Sequence, residues 1–454
     1  MTLVMPTRIL VVGAGGREHA LAWKLAAEPG VNEVIVAPGS DAIAAEPRVR
    51  RAATVDPLDA AALVALARRE AVELAVIGPE APLAAGVADA LAATGVPTFG
   101  PTAAAARIES SKAFCRDVAA AAGVRMARGR SFDALEPARS FARELAAGGG
   151  VVVKADGLAA GKGVTVCAGA AEADDALGQL FAGDATGVRV VIEERLEGRE
   201  ASLIALCDGY RALALPLARD HKRLADGDRG PNTGGMGAYS PLPDLPDERI
   251  PDLLETIHVP VLAELARRGT PFVGALYAGL MLTSSGPVLL EFNARLGDPE
   301  AQVVLPRLAV PIGPLLLAAA RGDLGRAARI LGLDDARLTV TPGAAVGIVL
   351  AAAGYPASPR RGDPIVGLDP ALLDDALVFH AGTERDGAGT WRTNGGRVLT
   401  VVGRGPDLGA ARAVAEAAAG RIGWLGLQRR TDIGAALPPA PPTPVAPAVA
   451  GSAR

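Results

Sequence analysis

At 454 residues, with 50% hydrophobic and 21% charged side chains, the chain is too long for one ordinary domain and apolar enough for several cores. Aromatics make up only 3%, so those cores are built mainly from Ala, Val and Leu. Fifty acidic residues intermixed with 46 basic ones give a formal charge of −4, which excludes an extended basic nucleic-acid surface but leaves room for a local basic pocket for phosphates.

In chain order, the apolar run 8–12 reads as a buried strand, followed by the glycine turn GAGGREH at 13–19 and a helix. Further strands at 34–37, 72–77 and 96–99 alternate with helical text at 58–69 and 84–93, which predicts a parallel sheet covered by helices over residues 1–103. A helical linker over 104–123 carries Lys112. From 124 to 194 the text changes to an α+β unit of antiparallel character, with strands near 124–128, 151–155, 163–167 and 188–194 and helices at 133–146 and 172–181.

A hairpin at 202–216 turns at Asp208-Gly209. The segment 221–238 is too polar and glycine-rich for a core element, and so long a loop points to function. A helix near 251–268, strands near 273–283 and 287–293, and helical text from 300 complete a central unit over 195–331. Strand and turn signals then resume, with a helix at 408–420, as a C-terminal α+β unit over 332–434. The Pro/Ala-rich tail at 435–454 is expected to be disordered. The fold class is thus α/β multidomain.

Cys115, Cys167 and Cys207 lack metal-ligand spacing and read as reduced structural thiols. The first twenty residues show no signal-peptide pattern, and no apolar stretch reaches the roughly 18 residues of a membrane span. The expected location is cytoplasmic, with neither membrane nor nucleic acid as partner.

The glycine turn is not a dinucleotide fingerprint. Gly13 and Gly15 fit, but Glu18 stands where a third glycine belongs, and the next strand ends at 37–39 without an acid. Its backbone N–H groups at a helix start suit a single phosphate monoester, with a plain tight turn as the alternative. Glu80, after the fourth strand, is placed to accept from sugar hydroxyls or simply to stabilise a helix start.

Lys154 ends the valine run 151–153, where an ammonium is costly to bury without a partner and a phosphate would supply one. The following loop, 157–163, is not a P-loop, because it leads into a strand; a glycine hairpin closing over phosphates fits it better. At 192–196 backbone groups are placed to read an adenine edge, with Glu200 on ribose hydroxyls, though a solvated acidic turn explains Glu193 and Glu197 equally well. Glu291 and Asn293, two apart on a strand, share a face and suit one hard cation bridging phosphates. Arg295 adds a guanidinium for a carboxylate or phosphate. His221 reads either as a substrate contact or as a residue that orders its loop.

The order of VGAGGREHA (12–20), GPEAPL (78–83), SKAF (111–114), KADGLAAGKGV (154–164), DHKR (220–223), GPNTGGMGA (230–238) and EFNARLGDPE (291–300) resembles the phosphoribosylamine–glycine ligase family of the ATP-grasp superfamily, over roughly residues 8–434. The resemblance implies an N-terminal substrate-binding domain, a nucleotide-binding lid, a central domain and a C-terminal domain. It implies ligation of glycine to 5-phospho-β-D-ribosylamine with ATP and magnesium or manganese, in a chain that is a monomer or weak homodimer. By that similarity Lys112 and Lys154 hold ATP phosphates, with Gly157, Gly161, Lys162 and Gly163 in the lid loop. Glu193, Glu194 and Leu196 form the adenine hinge, Glu200 takes ribose, and Glu291 and Asn293 hold metal. Gly13, Gly15, Gly16 and Glu80 serve the substrate phosphate and ribose. Asp220, Asn232, Thr233, Gly234, Gly297 and Asp298 face the acceptor region, and Arg295 holds glycine.

Three positions depart from the family pattern: Arg199, Leu296 and Arg429. Another ATP-grasp ligase or carboxylase of nucleotide metabolism, or an idle nucleotide-binding regulatory protein, is the competing reading.

Overall fold

The computed structural model describes residues 3–158, 163–182, 188–333, 336–369, 371, 373 and 375–435. Gly161, Lys162 and the tail beyond 435 lie outside the described residues.

The first sheet is fully parallel, in the order Val49–Arg51, Glu33–Pro38, Arg8–Gly13, Leu74–Ile77, Thr98–Phe99. Strand Arg8–Gly13 is buried on both faces: Ile9 and Val11 enter one core and Leu10 and Val12 the other, as a period of two dictates. The strand order reverses between Arg8–Gly13 and Leu74–Ile77. Their carboxyl-end loops, carrying Gly13 to Gly16 and Glu80, therefore flank one crevice. The edge strand Val49–Arg51 has no apolar run and left no trace in the pattern.

The predicted helical linker over 104–123 is two helices, Ala103–Ser110 and Lys112–Ala121, broken at Ser111. Ser111 leaves the helical region (φ −137°), and its Oγ accepts the Phe114 N–H at 3.1 Å. That cap makes Lys112 the first residue of the second helix.

The strand expected near 124–128 is displaced to Gly129–Phe132. Residues 124–128 instead cross to the central sheet, where the Arg125 carbonyl accepts the Leu289 N–H. Gly129–Phe132, Val190–Glu194, Val151–Ala155 and Val164–Cys167 form an antiparallel four-stranded sheet in that order. With helices Leu135–Ala146 and Ala170–Phe181 it encloses a core of its own, including Phe141, Val151, Val153, Leu177 and Ile192.

The central sheet runs Ala212–Ala214, Arg199–Gly209, Phe272–Thr283, Gly286–Asn293, all antiparallel. Its last pairing slips by one residue: Gly279 faces Glu291 but Leu280 faces Leu289, so Leu290 bulges out of the ladder.

The final sheet orders Arg219–Asp220, Gly237–Ser240, Ala344–Ala351, Arg397–Gly405, Leu377–His380. The polar segment 221–238 is thus not a free loop. It carries a short hairpin, Arg223–Ala225 with Arg229–Asn232, and is anchored at both ends in the C-terminal sheet, across the expected boundary at 331. Ala238, Tyr239 and Ser240 are buried there, but four residues are too few to show a period.

Among the described residues no helix is long and apolar enough to cross a membrane. Cys115, Cys167 and Cys207 are unpaired and buried; burial pushes the Cys115 thiol up to about 12.

Candidate active site

From Glu291 to Leu296 the chain alternates half-buried and buried residues, so Glu291, Asn293 and Arg295 share one open face while Phe292 and Ala294 enter the core. Burial raises the Glu291 carboxyl, but Lys222, Lys154, Lys112 and Arg295 outweigh it and hold the group below the usual range. Lys222 stands 3.8 Å from Glu291 Oε1 and 3.1 Å from Glu200 Oε2, joining the predicted ribose and metal positions. The Lys222 ammonium is held well above its ordinary range, because Glu200, Asp220 and Glu291 overcome its burial.

Lys154 reaches this face from the small antiparallel sheet. Its Nζ donates to the bulged Leu290 carbonyl at 3.2 Å and pairs with Glu193 Oε2 at 2.5 Å. The bulge leaves that carbonyl without a strand partner, which makes it available. Glu193 also meets Arg116 Nη1 at 2.5 Å, and Arg116 binds the Ala127 and Gly129 carbonyls. The Glu193 carboxylate is therefore a buried counter-ion between two cations and not an exposed hinge group.

Glu194 turns back to accept the Arg128 N–H at 2.8 Å, and Leu196 is half-buried beyond the strand end. Lys112 Nζ donates to the Gly157 carbonyl at 2.9 Å, and the Gly163 carbonyl closes the same hairpin on Ala155 N–H. Burial and Lys154 lower the Lys112 ammonium, with Glu291 opposing. Asp156 fixes the helix start: it accepts Ser111 Oγ–H at 3.1 Å and Ala113 N–H at 3.2 Å.

At the other end of the crevice Gly13 takes φ +130°, and Glu18 fills the notch between Gly13, Gly15 and Gly78. Its Oε2 accepts Gly15 N–H at 2.7 Å, and its Oε1 pairs with Arg17 Nε at 2.5 Å. A pyrophosphate on Gly13 to Gly15 would collide with this carboxylate. The donors left for an anion are those of the first helical turn, from Gly16 onward. Glu80 heads the short helix Glu80–Ala84; burial raises its carboxyl, but Arg295, 3.5 Å away, its own N–H and Arg17 prevail and lower it.

Asp298 and Gly234 are brought together by a residue the sequence did not disclose. Arg397 donates from Nη1 to the Gly234 and Asp298 carbonyls, both at 2.6 Å, and pairs through Nη2 with Asp298 Oδ2 at 3.1 Å. The Gly234 N–H donates to the Tyr355 hydroxyl at 2.8 Å. Thr233 is tied back to the Lys222 carbonyl, Asn232 lies in the hairpin opposite Arg223, and Gly297 packs on Glu300, whose Oε2 a side chain there would strike. Asp220 is raised by burial and by Glu300, Glu200 and Glu291, with Lys222 opposing. His221 lies against the Tyr239 ring and 3.7 Å from Asp228, the loop-ordering arrangement.

The three departures all have partners. Arg199 pairs with Asp244 and Arg429 with Glu416, while Leu296 packs in the core and gives its carbonyl to Arg17. Beside Arg429, Arg430 grips Asp432 and Asp228, and Thr431 grips Asp226, so the closing segment clamps the tip of the 223–232 hairpin. Glu109, Lys222, Arg397 and Tyr355 were the groups missed. Only Lys222 left a sequence signal, since it lies in the motif DHKR at 220–223; the helix end that makes a carboxylate at Glu109 unfavourable is visible only in the structure.

Among the described residues no three His, Cys, Asp or Glu side chains form a metal cage. Magnesium seldom asks for one: it takes one or two protein oxygens and fills its shell with phosphates and water. Glu291 with Asn293 fits that demand.

Family models for the phosphoribosylglycinamide synthetase N domain, ATP-grasp (A) domain and C domain match residues 7–109, 110–301 and 345–436. The chain is 49% identical over 428 residues to the phosphoribosylamine–glycine ligase of Phenylobacterium zucineum (strain HLK1), covering 94% of this chain and 98% of that one. Against the Streptomyces coelicolor enzyme of the same name it is 48% identical over 431 residues, covering 94% and 99%. The crystal structure of phosphoribosylamine–glycine ligase from Thermotoga maritima superposes with a TM-score of 0.77 at 32% identity, covering 94% and 99%. Biotin carboxylase from Campylobacter jejuni, with a TM-score of 0.70 at 16% identity over 94% of each chain, shares the fold alone.

Proposed function

The chain belongs to the phosphoribosylamine–glycine ligase family, and from that premise we propose how its own residues divide the work. It is an ATP-dependent ligase that joins glycine to 5-phospho-β-D-ribosylamine, giving glycinamide ribonucleotide, ADP and phosphate in de novo purine biosynthesis. The supporting observation is the meeting of Lys112, Lys154 and Lys222 around Glu291, from three separate parts of the fold.

A free carboxylate is a poor acyl donor, because oxide does not leave. A glycine carboxylate oxygen attacks the γ-phosphorus and ADP departs, leaving glycyl phosphate. The ribosylamine nitrogen then adds to the carbonyl, loses a proton and expels phosphate. Lys112 and Lys154 neutralise the charge spread over the transferring phosphoryl group. Glu193 keeps Lys154 aimed, while Lys112 exchanges the Gly157 carbonyl for a phosphate oxygen.

Glu291 and Asn293 would hold the magnesium or manganese ion, which when bound neutralises phosphate charge. Leu196 and its neighbours past the strand end face adenine, and Glu200 takes the ribose. Arg295 receives the glycine carboxylate. The first helical turn from Gly16, with Glu80, takes the phosphate and ribose of the amine, and Asp220, Gly234 and Asp298 line the acceptor side. The working form is a monomer or weak homodimer in the cytoplasm, where three buried thiols stay reduced.

Glycine labelled with oxygen-18 in its carboxylate is expected to deliver one label to inorganic phosphate; unlabelled phosphate would overturn the acyl-phosphate route. Lys154→Ala is expected to lower turnover by about 100-fold or more, and a wild-type rate would remove that lysine from the site.

A further inference from the structure

We propose that Glu109 is a positioning residue that sets Arg295 for the glycine carboxylate, an inference that rests on the reading of Arg295 given above. Glu109 lies in the last turn of helix Ala103–Ser110, where the carbonyl end of the helix repels a carboxylate. Its side chain is only 8% exposed, so nothing local favours an ionised acid there. Burial raises the Glu109 carboxyl on balance, and two contacts from the turn after strand Gly286–Asn293, Arg295 and the Ala294 N–H, oppose it. Oε2 accepts the Ala294 N–H at 2.7 Å, and Oε1 pairs with Arg295 Nη2 at 2.9 Å.

One carboxylate thus holds the backbone just before Arg295 and the far end of its side chain. Fixing both ends restrains the plane of the guanidinium, as a bidentate pair does. The other contacts of Arg295 are longer: the Leu296 carbonyl at 3.3 Å, Asn293 Oδ1 at 3.4 Å and Glu80 Oε2 at 3.5 Å. Its Nε is buried without a hydrogen-bond partner. Glu109 therefore engages one terminal nitrogen and leaves donors of a fixed guanidinium for a second carboxylate.

The position of Glu109 in the chain gives the contact its consequence. Three residues after it comes Lys112, at the head of the next helix. Helix Ala103–Ser110 is thereby tied to Arg295 at its end and to a phosphate-binding lysine immediately beyond. The separation between the glycine carboxylate and the γ-phosphate is set through Glu109, and reactant alignment of this kind is worth large factors in rate.

The test is steady-state ADP release with glycine varied at saturating ATP and phosphoribosylamine, for Glu109→Gln, Glu109→Asp and Arg295→Lys. Glu109→Gln keeps the volume and an acceptor for Ala294 but loses the charge. It is expected to raise the KM for glycine about 10- to 100-fold, by analogy with the loss seen when the hydrogen-bonded partner behind a metal-binding side chain is removed. The KM for ATP should stay within about twofold, since the ATP lysines keep their partners.

Glu109→Asp, which restores the charge on a shorter arm, is expected to fall between Glu109→Gln and the parent enzyme, and it serves alone where Glu109→Gln does not fold. A raised glycine KM in Arg295→Lys beside an unchanged one in the Glu109 variants would overturn the role of Glu109 and leave that of Arg295 standing. An unchanged glycine KM in Arg295→Lys would overturn the reading of Arg295 itself, and this proposal with it. A loss of turnover and thermal stability with every KM unchanged would make Glu109 a structural residue only.

Discussion

His258 is fully buried in the π-turn Leu254–His258, with Nε2 3.1 Å from the Leu276 carbonyl and its ring edge-on to Phe292, beneath the face that carries Glu291 and Asn293. Burial lowers its pKa to about 4, and burial with His19 and Arg385 lowers that of His380 to about 3. Both rings are neutral in the folded chain and charge readily once unfolded. Their contribution to stability is therefore complete above the ordinary histidine value near 6.5 and is lost as pH falls toward about 4. Between about pH 6.5 and pH 5 each ring should cost on the order of 2 kcal/mol, at about 1.36 kcal/mol per unit. Urea unfolding at the two pH values measures it, and His258→Gln should flatten the dependence by its share; a pH-independent midpoint would refute the assignment. These histidines show what sequence hides at this scale. Lys154, Glu291 and Asn293 stood out because charge or amide inside a strand of valines and leucines demands a partner, whereas Arg397 finds Gly234 across 163 residues with nothing in its neighbourhood to announce it.

Ser111 shows the same limit at the scale of elements. Helical text runs unbroken over the linker 104–123, yet one hydroxyl accepting the Phe114 N–H and donating to Asp156 divides it and puts Lys112 at a helix start. Ser111→Ala is expected to cost about 1 kcal/mol through the lost cap. It should also raise the KM for ATP several-fold while leaving that for glycine unchanged, because the cap orients Lys112 and not Arg295. Calorimetry with kinetics in each substrate checks it, and equal changes in both KM values would refute it. Elements with clear patterns were legible: the parallel strands of the first sheet other than Val49–Arg51, the helices over 135–146 and 408–419, and the two long central strands. Those missed or displaced were Val49–Arg51, Gly129–Phe132 and the two short strands flanking the hairpin, because two to four residues carry no period and their places are set by the sheets they join.

In the whole molecule the small antiparallel sheet has its own core, while the C-terminal sheet takes in strands from 219–240 and is continuous with the loops proposed to face the acceptor. The two ends of the site therefore differ in mechanical character. Lys154 arrives on a separately packed unit, bridged to the central sheet by the Leu290 carbonyl and joined through Glu193 to the helix of Lys112. The loops proposed for the acceptor are held by a frame, with Arg397 and Tyr355 at Gly234 and the clamp of Arg430 and Asp432 at the hairpin tip. If the frame serves the acceptor, weakening it should change binding of the ribosylamine and not of ATP. Arg397→Lys keeps the charge but replaces a fork that spans two carbonyls and a carboxylate by a single ammonium, which cannot reproduce planar multidentate contacts. We expect the KM for phosphoribosylamine to rise about tenfold, equivalent to roughly 1.4 kcal/mol, with the KM for ATP unchanged. An equal rise for ATP would mean that the C-terminal sheet supports the entire site, and no change in either would mean that the 234 and 298 loops are held without Arg397.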